Sequence, residues 1–211
     1  MKMLDNTNLK WLGHASFKIT SSSSVIYIDP FKINESEPAD IIIITHAHFD
    51  HFSPEDIFKI AKQNTVIVAT PDCAAKISGN YIFKKIIAGQ NISLGNIKIE
   101  AVPAYNTNKS FHPKGNSWIG VIITADGKRV YHAGDTDFIS EMKQLKNIDI
   151  ALLPVSGTYV MTAEEAAMAA NLIMPKVAVP MHYGSIVGTE NDAARFKELC
   201  RCRVEIMRRS D

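Results

Sequence analysis

Four consecutive isoleucines, Ile41 to Ile44, run almost directly into His46-Ala47-His48-Phe49-Asp50-His51, and this segment constrains the fold more than any other. A β-branched apolar run of this length reads as a strand buried on both faces. Ser53-Pro54-Glu55-Asp56 then reads as a helix start, with Ser53 as N-cap and Pro54 at the first helical position. Three imidazoles and a carboxylate are therefore confined to one strand-to-helix loop at the end of a sheet. If the extended geometry continues, His46 and His48 point to the same side. Imidazole nitrogen with carboxylate oxygen is a donor set that suits zinc and its neighbours.

Strands and helices alternate along the rest of the chain. Leu9–Leu12, Ser16–Thr20 and Val25–Ile28 read as strands, with the serines 21–24 as a tight turn. Ile41–Thr45 and Val66–Ala69 are further strands, separated by a helix over Pro54–Gln63. Ile86–Ala88, Ile92–Leu94 and Ile97–Val102 are short strands with glycine at the turns. In the second half, Ile119–Thr124 and Arg129–Ala133 form a hairpin across Asp126-Gly127. A helix at Phe138–Leu145 and a strand at Asp149–Val155 follow. Thr162-Ala163-Glu164-Glu165 fits a capping box that opens a helix running to Ile173. Val177–Pro180 is a strand, Asp192–Leu199 a helix and Arg203–Ile206 a last strand. No linker composition interrupts the pattern, so residues 1–211 are expected to form one domain.

A net charge of +1 gives no global electrostatic case for nucleic acid or an anionic membrane. Lys197, Arg201, Arg203, Arg208 and Arg209 make the C-terminus locally basic, which reads first as a solvated helix face and tail. Cys73, Cys200 and Cys202 are an odd number without framework spacing, which points to a reducing compartment. The segment Met1–Asn6 lacks a signal-peptide core, and no apolar stretch approaches a membrane span. A cytoplasmic protein, with homo-oligomerisation open, is the expectation.

The hexapeptide with Thr45 before it resembles the H-x-H-x-D-H signature of the metallo-β-lactamase superfamily. Tyr131-His132-Ala133-Gly134-Asp135-Thr136-Asp137 resembles the segment bearing that family's bridging aspartate, and Pro180-Met181-His182-Tyr183-Gly184 the segment bearing its last histidine. Trp11-Leu12-Gly13-His14-Ala15-Ser16-Phe17 is similar to the opening strand of the branch that includes ascorbate-6-phosphate lactonase and many metal-dependent hydrolases. The resemblance implies an α/β, four-layer αββα sandwich of two mixed sheets with helices on the outer faces. It implies that His46 and His48 bind one metal, that Asp50, His51 and His182 bind a second, and that Asp135 bridges them. The cofactor implied is a divalent metal, zinc first, with Mn, Fe and Ni open. The chemistry implied is metal-assisted hydrolysis of a small-molecule lactone, ester or phosphodiester, with Asp50 orienting the nucleophilic water.

One position departs from the family pattern. Asn106 stands where a further metal-binding histidine is expected, and an amide oxygen is a poor zinc ligand. The first metal then has an open position, or His112 replaces the missing ligand; a role for His112 toward substrate or behind the ligands is narrowly preferred. His14 is expected at the site as a metal neighbour or proton shuttle, and His132 as structural. Asp29 is balanced between orienting a ligand histidine and starting an Asp-Pro turn. Tyr183 and Ser185 could donate hydroxyls to a substrate. Lys109, His112 and Lys114 share a loop that would suit an anionic small molecule, although a solvated loop is the plainer reading. Two other classes compete with a small-molecule hydrolase. A di-iron oxidoreductase would carry glutamate in place of His48. An RNA- or nucleotide-directed phosphodiesterase would be expected to show a basic excess or a binding arm, and neither is present.

Overall fold

The computed structural model describes residues 8–77, 79 and 81–210, so the reading of Met1–Asn6 lies outside the described residues. The first sheet takes its strands in chain order: β1 (Asn8–Gly13), β2 (Ser16–Thr20), β3 (Val25–Ile28), β4 (Ala39–Ile44), β5 (Ala61–Ala69) and β6 (Ile82–Lys85). β1 to β3 pair antiparallel, and β3 to β6 pair parallel. The second sheet contains β7 (Asn91–Leu94), β8 (Ile97–Pro103), β9 (Ile119–Ala125), β10 (Lys128–His132), β11 (Ile150–Pro154), β12 (Val177–Met181) and β13 (Arg203–Val204). It too begins antiparallel, from β7 to β10, and continues parallel to β13.

The isoleucine run is apolar throughout because both of its faces are covered. Ile41 and Ile43 join the core that also holds Ile99, Val121, Ile123 and Val130 of the second sheet. Ile42 and Ile44 face the other way, into a cluster with Ile57 and Ile60 of the first helix, α1 (Pro54–Ile60). Two mixed sheets thus share a core, with α1, α2 (Pro71–Ala74), α3 (Ala163–Ile173) and α4 (Glu190–Leu199) completing the expected four-layer class. Ser53 caps α1 by accepting the Asp56 amide hydrogen, and Thr162 and Glu165 form a reciprocal capping box at α3.

Three element readings need correction. α1 stops at Ile60, not Gln63, because Ala61 turns extended and β5 begins there, five residues before Val66. Polar Lys62-Gln63-Asn64 hide that start; it is held by Thr65, whose hydroxyl donates to the Ala39 carbonyl. The expected strand over 86–88 lies instead at β6, although the Ile86 amide extends the ladder to the Ala69 carbonyl. The expected helix over 138–145 is a 3-10 turn, Ser140–Gln144. It ends where Leu145 turns extended, two residues before left-handed Asn147 sends the chain toward β11.

Candidate metal centre

The site collects residues from strand ends of both sheets. His14 lies in the β1–β2 turn, Asp29 follows β3, and His46 to His51 follow β4. From the second sheet, Asp135 follows β10 and His182 follows β12, while His112 lies on the β8–β9 loop. His14, Asp29 and His182 all have left-handed backbone, with φ of 50°, 45° and 63°. Non-glycine residues adopt this conformation only where the surroundings impose it. Two of them are tied across the sheets by the His182 amide, which donates to the His14 carbonyl over 2.9 Å.

Two donor groups result. In one, His46, His48, His112 and Asp135 place a ligand atom each within 4.8 Å of one another. In the other, His14, Asp50, His51 and His182 do the same. Asp135 stands between them. Its Oδ2 lies 3.2 Å from Nε2 of both His112 and His182 and 3.9 Å from His46, and its Oδ1 lies 3.1 Å from His51 Nε2. All but the half-buried His48 are buried.

Several of these atoms are buried without a hydrogen-bond partner: His46 Nε2, His51 Nε2, His182 Nε2, His14 Nδ1 and Asp135 Oδ1. Buried polar atoms are ordinarily satisfied, so a cluster of unsatisfied donor atoms in one place fits a cation. The ring orientations agree. Asp29 Oδ2 accepts from His51 Nδ1 over 2.7 Å and from the Thr45 hydroxyl over 2.6 Å. That hydroxyl, its own proton committed to Asp29, accepts from His46 Nδ1 over 3.0 Å. One carboxylate therefore sets the tautomer of a histidine in each group and turns both Nε2 lone pairs inward. The remaining triplet of candidate donors, Asp29 with His46 and His51, is better read as this support, because Asp29 also accepts the Thr45 amide.

The electrostatics are those of a site demanding positive charge. Burial opposes ionisation of Asp135, but His182, His51 and His112 around it hold its carboxyl well below the usual range. Burial also opposes Asp50, and the hydrogen bond from His14 outweighs it, bringing Asp50 down to about 2. Burial pushes the pKa of His14, His46 and His48 down, which favours the neutral, ligating form. For His51 burial is outweighed by Asp135 and Asp29 on either side, which raise it well above 6.5.

Of the two residues left open for the missing histidine, His112 is the one grouped with His46, His48 and Asp135, and Asn106 is committed to hydrogen bonds. Its Nδ2 donates to Asp137 and to the Tyr159 carbonyl, and its Oδ1 accepts the His112 amide and lies 3.2 Å from His112 Nδ1. As the acceptor for that ring it leaves His112 Nε2 facing Asp135 and His48. The loop lysines offer no free charge: Lys109 is paired with Asp137 at 2.6 Å and Lys114 with Glu141 at 3.1 Å. His132 is turned away from the site. Its Nε2 donates to the Ala15 carbonyl and its Nδ1 accepts from the Gly134 amide. Sequence reading missed Trp118, which packs against the rings of His46, His48 and His112 at 4.6–5.4 Å and donates to Asp72. It also missed Ser156, whose hydroxyl meets His182 Nδ1 at 3.1 Å. Neither residue carries a spacing signal that would have revealed it.

Residues 8–182 match the profile of the beta-lactamase superfamily domain. A UPF0173 metal-dependent hydrolase of Thermococcus onnurineus is 35% identical, covering 94% of each chain. A crystal structure from Parabacteroides distasonis superposes with a TM-score of 0.87 at 37% identity, covering 97% of this chain and 94% of that one. The metallo-beta-lactamase fold protein YhfI of Bacillus subtilis shares the fold, with a TM-score of 0.77 at 12% identity over 98% of each chain. The chain belongs to the beta-lactamase superfamily. Within it, the chain is a metal-dependent hydrolase.

Proposed function

We propose that the chain hydrolyses a small-molecule ester, lactone or phosphodiester at a two-metal centre, zinc being the first choice of ion. The observation that carries this reading is the pair of four-residue donor groups meeting at Asp135. His46, His48, His112 and Asp135 would hold one ion, and His14, Asp50, His51 and His182 the other, with Asp135 against both. His112 and His14 are thus assigned to the metals rather than to substrate or proton shuttling. The chemistry supplied at such a centre is Lewis acidity, toward water and toward the oxygen of the scissile group.

The protein's own groups do the positioning. Asp50, ionised down to about pH 2, is too weak a base to retain a proton at neutral pH. Its carboxylate accepts a hydrogen bond from His14 on Oδ2, and would accept one from an attacking water to orient it. Asp29, Thr45 and Asn106 hold the imidazoles so that no reorganisation is needed during turnover. Trp118 covers one side of the His46, His48 and His112 rings. The test is a panel of lactones, carboxylic esters and phosphodiesters offered to chelated protein and to the same protein reloaded with zinc, manganese, iron or nickel. Turnover that appears only on reloading supports the reading. Equal turnover in the chelated protein overturns it.

A further inference from the structure

A cleft of about 740 Å³ is lined by His14 but by none of the other residues of the two donor groups. His14 and the stacked pair Trp11 and Tyr183, ring centroids 5.1 Å apart, line it. The C-terminal segment supplies Arg208 and Arg209, and the start of α4 supplies Glu190 and Asn191. The basic tail noted in the sequence is therefore placed rather than free. The Ser210 amide donates to the Trp11 carbonyl over 2.8 Å, and Arg209 forms a bridge beside Trp11. Gly13 permits this: its φ is +107°, and a Cβ there would lie 3.2 Å from Arg209 Nε.

The cleft's lining carries two guanidinium groups and a phenol hydroxyl. Tyr183 is 4% exposed and lines the cleft beside Trp11. Burial, with Glu190 nearby, pushes its hydroxyl up to about 12, so it keeps its proton. Arg208 has neither a carboxylate nor a hydrogen-bond partner among the described residues, and Arg209 spends one nitrogen on the Lys32 carbonyl. Among the described residues, Glu190 is the one carboxylate on the wall, against two guanidinium groups. Ile206 and Met207 add apolar surface beside them.

We propose that this cleft is a binding site for an organic anion, a carboxylate or phosphate attached to an apolar group, held by Arg208, Arg209 and the Tyr183 hydroxyl. Guanidinium groups match the planar, two-oxygen face of such an anion. Because His14 forms both the cleft wall and part of a donor group, the anion is the remote end of the substrate whose scissile bond lies at the metals. That last step rests on the hydrolase reading; the anion site does not.

The test is an amide NMR titration of the full chain, with and without added zinc, using phenyl phosphate, benzoate and neutral phenol as probes. Phenyl phosphate or benzoate should shift the amides of Tyr183, Ser185 and Arg209, and whichever binds more tightly identifies the anion. Phenol should not shift them. Arg208→Ala should weaken binding about tenfold, and Tyr183→Phe several-fold. Arg208 is exposed, so its variant remains informative if Arg209→Ala does not fold. Unshifted cleft amides, an equal response to phenol, or unchanged affinity in Arg208→Ala overturns the proposal. Anion binding in a chain that never takes up metal leaves the cleft standing and removes the hydrolase reading instead.

Discussion

Asp29 lies at a buried strand end, and its Oδ2 accepts from both the Thr45 hydroxyl and His51. An amide at this position keeps the shape but has one acceptor oxygen, so it cannot accept the Thr45 amide as well as the Thr45 hydroxyl and His51. Asp29→Asn should weaken metal binding by about 10–100-fold, read by competition with a chromogenic chelator. An unchanged affinity would reduce Asp29 to a turn residue. The sequence left this residue balanced because its partners, Thr45 and His51, are 16 and 22 positions away. His132 makes the opposite case: its strand position alone separated it from the site. His132→Ala should cost about 2–4 kcal/mol in urea unfolding while metal content is retained, because it strands the Ala15 carbonyl and the Gly134 amide. Burial lowers the folded pKa of His132 from 6.5, so its contribution is complete above that pH and decays as acid protonates the unfolded chain. The stability gap between parent and variant should therefore narrow from pH 7 to pH 5. A constant or widening gap would contradict the assignment.

The strand ends set the geometry of the centre at the next scale. Gly134, at φ +63°, takes the chain from β10 to Asp135, and a Cβ there would meet the Ile119 carbonyl oxygen at 2.6 Å. Gly134→Ala should cost more than about 1–3 kcal/mol and displace Asp135, lowering thermal stability and metal content together. If both hold at parent level, the close approach is not a constraint. The β8–β9 loop depends on side chains instead: Asp137 accepts from Asn106, the Thr107 amide and Lys109, and Asn106 then positions His112. This explains why strand ends were legible and the loop was not. His46, Asp135 and His182 follow apolar runs that announce their position. His112 follows no strand, and its place comes from a polar network closed only in three dimensions. The short 3-10 turn at Ser140–Gln144 was misread as helix for the same kind of reason, since the return to β11 limits it rather than its own composition.

For the molecule as a whole, each sheet begins antiparallel and continues parallel, and the donor groups lie where the ends of the two sheets meet. His14, His46, His48, Asp50 and His51 come from the first sheet; His112, Asp135 and His182 come from the second. The class of fold was legible because both sheets are written as apolar runs with turn signals between them. The joining of the sheets at His14 and His182 was not, because a backbone bond between distant turns leaves no local pattern. A metal held by ligands from both sheets binds only the folded chain. At about a hundredfold excess over Kd it should add about 2.7 kcal/mol of stability, seen as a lower melting temperature after chelation. The most direct test is elemental analysis of reloaded, dialysed protein, with Asp135→Ala alongside and its fold checked by circular dichroism. The two donor groups predict two metal ions per parent chain and the loss of both in the folded variant. A parent chain that binds no metal, or a variant that keeps both ions, would contradict a centre built around Asp135.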